Sequence, residues 1–161
     1  MPIVDSAYEL TEYELERNKP MPSFNHAYVQ TKLLIVLGNH FPDRFTLLSE
    51  LNLAFDENQI AVPDISIYPK IPVDFLHDKI AMTQMPLTVI EIISPSQSND
   101  DMLAKFERYF NAGIKSCWLV MPSLKAIAVY SKLQSYEFNS SDMILKDNNL
   151  GIELPLIEIF K

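Results

Sequence analysis

A chain of 161 residues, 48% apolar and 21% charged, has hydrophobic material for one core without staples, so a single domain over residues 1–161 is expected. The formal charge of −8, from 21 acidic against 13 basic side chains, argues against a broad nucleic-acid-binding surface of the usual basic kind. It leaves open a small site where metal ions meet phosphate. One cysteine excludes an internal disulfide, no basic leader precedes an early apolar stretch, and no run nears the ~20 apolar residues of a membrane span; a cytoplasmic protein is expected.

In chain order, Thr11-Glu12-Tyr13-Glu14 matches a capping box and predicts a short helix ending near Arg17, broken by the prolines Pro20 and Pro22. Ser23 or Asn25 then caps a longer helix to about Asn39, with Val29, Leu33, Val36, Leu37 and His40 on one stripe. His26 falls inside that stripe at the helix start, where it is either a hydrogen-bonded core residue or a supporting group at a site. Beyond Phe41 the period changes to that of strands. Arg44 to Ser49 and Leu51 to Phe55 are extended, residues 56–59 form a polar turn, and Ile60 to Tyr68 is a further strand. Alternation puts Asp64, Ser66 and Tyr68 on one face, and Pro63 removes a ladder donor beside Asp64. Taken by itself, an acid on such a strand is expected to face water. Residues 69–86 read as a loop with at most one helical turn around Val73 to Leu76.

The stretch from Pro86 to Gly113 carries the chemistry. Leu87 to Ile93 is a β-branched run stopped by Ser94-Pro95, the pattern of a strand covered on both faces. Glu91 sits within it, on the side of Leu87, Val89 and Ile93, where an unmet carboxylate would carry a large desolvation cost. Ser98 or Asn99 caps the following helix, Asp100 and Asp101 suit its first turn, and Gly113 stops it. Lys105 lies at the border of that helix's apolar stripe. Its ammonium either snorkels into solvent or reaches the end of the Glu91 strand. Ser116 to Met121, Ile127 to Ser131 and Ser135 to Phe138 continue as strands, Cys117 reads as a small core residue, and residues 151–161 dock back with Pro155 as a break. The order of elements predicts an α/β (α+β) domain with a mixed sheet.

Asp64 and Glu91 on neighbouring strands could share a divalent cation, with the Ile92 carbonyl as a third oxygen and Lys105 beside the attacking water. Spacing alone carries this weakly. The segments Val62 to Tyr68, Val89 to Ser96, and Asp101 through Lys105, Tyr109 and Gly113 to Trp118 together resemble the bacterial family of putative restriction endonucleases in the PD-(D/E)XK nuclease-like superfamily. The resemblance spans roughly His26 to Ser131. It implies the restriction-endonuclease-like fold, a central mixed β-sheet flanked by helices, and Mg²⁺-dependent cleavage of DNA, with Mn²⁺ a possible substitute. Asp64 and Glu91 match its metal-ligand positions, with the Ile92 carbonyl beside them.

Two departures follow. Ile93 stands where the motif has its lysine, which in this family comes from the next helix, at Lys105. Met121 precedes Pro122 where relatives carry aspartate. The site expected on this reading is Asp64, Glu91 and Lys105, with His26 as a helper; a homodimer could build the basic groove that the charge of one copy lacks. The competing expectations are a nuclease-like domain without activity, serving as a binding or assembly module, and a purely structural buried ion pair of Glu91 with Lys105.

Overall fold

The computed structural model of the protein describes residues 21–56, 59–95 and 97–161, so the helix expected after Thr11 lies outside the described residues. The first described helix, α1, is Phe24–His40. Ser23 is its cap, its Oγ accepting the His26 N–H at 3.3 Å. His26, Val29, Leu33, Val36 and Leu37 form the buried stripe. His40 was expected on that stripe and is instead exposed, its Nε2 2.7 Å from Glu158 Oε2, because the helix runs past the edge of the sheet's apolar cover there.

Six strands make the central sheet, in the order β1 (Phe45–Ser49), β4 (Ile65–Pro69), β5 (Thr88–Ile92), β6 (Ser116–Met121), β7 (Ala126–Lys132), β8 (Ser135–Ser140). Only β5 and β6 run parallel, and the crossover between them contains α2 (Asn99–Asn111). Ser98 caps α2 in a reciprocal capping box with Asp101. Its end is set by Gly113, whose φ of +94° is one that residues with a Cβ rarely adopt. The mixed sheet flanked by helices is the fold class the sequence predicts.

Alternation along the strands divides the core into two. Ile65, Ile67, Ile90, Ile92, Trp118 and Val120 pack beneath α1 and the C-terminal tail. Val89, Cys117, Leu119 and Tyr130 pack beneath Met102, Phe106 and Tyr109 of α2. All five residues of β5 are buried, as a run covered on both sides requires. The tail docks as expected, and it does so as a hairpin of β9 (Ile144–Asp147) and β10 (Ile152–Pro155) that the sequence reading leaves unmarked.

Three local expectations change. The single strand over Ile60 to Tyr68 is two, β3 (Gln59–Ala61), paired with β2 (Leu53–Asp56), and β4, separated at Val62-Pro63-Asp64. Leu87 precedes β5 and packs on the α1 side, away from Glu91. Around Val73 to Leu76 there is a turn and no helix; the Asp74 carboxylate accepts from the Leu76 N–H at 3.0 Å and meets His77 Nδ1 at 2.8 Å. No helix among the described residues is long and apolar enough to cross a membrane.

Candidate active site

The site grows from the place where the β4–β5 ladder fails. With Ile65 opposite Ile90 in antiparallel register, continuing the ladder would set Pro63 opposite Ile92. A proline has no N–H to offer the Ile92 carbonyl, and the pairing stops. The Asp64 carboxylate takes over the other half of the ladder: its Oδ2 accepts the Ile92 N–H at 2.7 Å. The same oxygen lies 3.1 Å from His26 Nε2 at the start of α1. The Asp64 carbonyl is held as well, by Gln30 Nε2 at 3.0 Å and by the Glu50 N–H at 3.1 Å. Glu50 makes that contact from the left-handed region, with φ of 52°. Asp64 is 1% exposed, so the expectation of a water-facing acid is overturned; the break at Pro63 turns its side chain onto the end of β5.

Glu91, 2% exposed, points to the α2 side. Tyr109, buried on α2, donates its hydroxyl to Glu91 Oε1 at 2.7 Å. Burial first, and then the Glu91 carboxylate, push the Tyr109 hydroxyl well above the usual tyrosine range. It therefore stays protonated and remains a donor. Sequence reasoning placed Tyr109 only within the segment that resembles the family and gave it no role at the site; the available signal was its position one helical turn after Lys105, on the same side of α2. Gln30 was missed too, and stands one turn after His26.

His26, Asp64, Glu91 and half-buried Lys105 line one hollow, together with Ser94 and Gln97. The four residues singled out from sequence are thus brought together. The hollow is about 10 Å³, close to the space of one water molecule or ion. Glu91 and Lys105 thus face one shared space. Ile93, at the position of the motif's lysine, gives its N–H to the Val120 carbonyl at 2.9 Å and packs its side chain into the α2 core. A lysine there would have to displace that packing, whereas Lys105 reaches the hollow from the helix above. Cys117 is fully buried, and its thiol is pushed up by burial and then by Glu91, as suits a core residue.

Among the described residues no group of three or more His, Cys, Asp and Glu side chains is arranged to hold a metal ion. The donors present are all hard oxygens: two buried carboxylates and the Ile92 carbonyl, to which Pro63 can give no ladder hydrogen. That set fits Mg²⁺, which takes one or two carboxylates and keeps several waters.

A family model described as Uma2, putative restriction endonuclease, matches residues 4–156. The chain belongs to that family. The Uma2 assignment agrees with the resemblance read from the Asp64, Glu91 and Lys105 segments. Among solved structures, the fold is similar to that of a putative nuclease from Anabaena variabilis, with a TM-score of 0.74 at 23% identity, over 88% of this chain and 83% of the other. At that identity the likeness is one of fold. None of the curated proteins matches this Uma2 chain.

Proposed function

We propose that the protein is an endonuclease that hydrolyses DNA phosphodiester bonds with a divalent cation, Mg²⁺ or Mn²⁺ in its place. One observation carries this reading: two buried acids, Asp64 in the break just before β4 and Glu91 within β5, and a lysine from the covering helix line a hollow the size of an ion. Family membership supports the nuclease class.

Asp64, Glu91 and the Ile92 carbonyl would hold the cation. When bound, it supplies charge neutralisation at the phosphate and a lowered pKa for its water. The protein's own residues do the rest. The Ile92 N–H and His26 fix Asp64 from two directions, and Tyr109 fixes Glu91, so neither carboxylate must reorganise when charge develops. Lys105 brings an ammonium to the hollow, where it can hydrogen-bond the attacking water and meet the growing charge on phosphate oxygens. His26 acts through Asp64 as a positioning residue.

The test is cleavage of plasmid DNA with Mg²⁺ or Mn²⁺ by the wild type and by Asp64→Asn and Glu91→Gln, with folding followed by circular dichroism. Cutting should fall by about a thousandfold in each variant while the fold survives. Cutting that persists in both variants would remove the assignment.

A further inference from the structure

Both acids of the hollow have to be held still, and Asp64 has little sheet to hold it. It lies in the break between β3 and β4, where pairing with β5 begins only at Ile65 opposite Ile90. Its place is set from another side, by α1. His26 and Gln30 stand one turn apart on that helix and meet Asp64 at its two ends. His26 Nε2 lies 3.1 Å from carboxylate Oδ2, and Gln30 Nε2 donates to the main-chain carbonyl at 3.0 Å. We propose that Gln30 is a positioning residue for the cation site, and that its grip on Asp64 makes the site prefer Mg²⁺ to Ca²⁺. The inference rests on the nuclease reading for the presence of a cation, and on the hydrogen bonds themselves for the positioning.

The main-chain contact has one possible sense. A carbonyl only accepts, so the Gln30 amide must present Nε2 to it. The Glu50 N–H, at 3.1 Å, takes a second place on the same oxygen. Glu50 makes that bond with φ of 52°, a conformation unfavourable to any residue with a Cβ. With both lone pairs of its carbonyl engaged, the peptide that follows Asp64 is fixed in its plane. An aspartate side chain has only two torsions. Fixing the main chain and one carboxylate oxygen therefore leaves the carboxylate a single orientation. Gln30 is half-buried and does not line the hollow, so it acts through Asp64 and not on the ion.

The ion preference follows from stiffness. Mg²⁺ demands near-octahedral ligands at about 2.0–2.1 Å, whereas Ca²⁺ accepts longer bonds and irregular geometry. A carboxylate that cannot shift serves the strict ion and gives no advantage to the tolerant one. Loosening it handicaps Mg²⁺ more. The size of the hollow, about 10 Å³, agrees with a close fit around one small ion. Groups that orient a metal ligand from behind contribute to affinity nearly as the ligands do, and Gln30 stands in that relation to Asp64.

Gln30→Met in the full chain tests this, since methionine keeps the length and helix propensity of glutamine and removes the donor. The Ile92 amide, which donates to Asp64 Oδ2 at 2.7 Å, reports on the carboxylate without any metal. In metal-free buffer its hydrogen exchange should quicken about tenfold in the variant. The amides of Cys117 and Trp118, on the inner strand β6, should exchange as in the wild type. Comparing amides within one sample keeps the test valid if the variant also loses global stability. In calorimetry the variant should bind Mg²⁺ about tenfold more weakly and Ca²⁺ as tightly as the wild type does. Ile92 exchange that is unchanged, or that quickens only in step with Cys117 and Trp118, would overturn the positioning. Mg²⁺ and Ca²⁺ weakened to the same degree would overturn the ion preference. The nuclease reading fails separately. Wild-type protein that binds neither ion sinks that reading and the ion preference with it, and Ile92 exchange still decides whether Gln30 holds Asp64.

Discussion

The sheet buries carboxylates at both of its ends, and the two ends treat them differently. Near the start of β5 and β6, Asp147 from β9 is 2% exposed and is surrounded by neutral donors. Ser116 Oγ and Trp118 Nε1 donate to its Oδ2 at 2.6 and 2.8 Å, and the Asn149 N–H donates to Oδ1 at 3.1 Å. The Thr88 hydroxyl in turn pairs with that of Ser116. This is an acid used as a staple between the tail hairpin and the sheet. At the far end of the same strands Asp64 and Glu91 are equally buried, but they come as a pair, around a hollow, with an amine beside them. Burial of a carboxylate therefore says little about its task. The number of acids sharing one space, and whether that space is filled by the protein's own donors, separates support from chemistry.

The sharpest way to break this contrast is Asp147→Ala. It leaves the Trp118 N–H and the Ser116 hydroxyl buried without their acceptor, so urea unfolding should show a loss of about 3 to 4 kcal/mol. Mn²⁺ affinity of the folded fraction should match the wild type. A tenfold change in that affinity would mean that the two ends are not independent.

Lys105→Met should do the opposite, lowering cleavage by about a hundredfold with little change in unfolding midpoint, since its methylenes are replaced and its ammonium joins no pair among the described residues. A loss of stability as large as that of Asp147→Ala would instead make Lys105 structural. Tyr109→Phe removes one donor from Glu91 and should weaken Mn²⁺ binding by about tenfold in calorimetry, because groups that orient a ligand usually contribute on that scale. Unchanged metal affinity would leave Tyr109 as packing only.

The smallest effect is with alkali. The Tyr109 hydroxyl is raised well above its usual range, and burial pushes that of Tyr68, which donates to the Gln84 carbonyl at 2.7 Å, up to about 12. An unfolded tyrosine loses its proton near pH ~10. Above that value the unfolded chain releases protons that the folded chain keeps, so the stabilising contribution is complete below pH ~10 and falls as pH rises toward 12. Urea midpoints measured across this range should decline, and Tyr68→Phe should flatten part of the decline.

Most of the architecture was legible because it obeys simple periods. The buried run of β5, the Ser98 cap and the positive-φ Gly113 each follow from a local rule. Asp64 was legible only through its segment's resemblance to a family; strand alternation by itself pointed it at water. What turned it inward was Pro63, whose missing N–H ends one ladder and lets a side chain complete it, an effect that needs the register of β4 against β5. Tyr109 and Asp147 were opaque for a common reason. A hydroxyl on an apolar stripe and an acid in a short tail strand acquire their partners only when residues 18 and 31 positions away arrive beside them. The split of Ile60 to Tyr68 was half visible, since the proline was noted but its power to end the strand was not.

The central claim is that two buried acids at the end of β5 form an ion site. Isothermal titration of Mn²⁺ into the wild type and the Asp64→Asn, Glu91→Gln double variant tests it most directly. The account predicts saturable binding at millimolar ion or below in the wild type and none in the variant. Absence of binding in the wild type, or equal binding in both proteins, would contradict it.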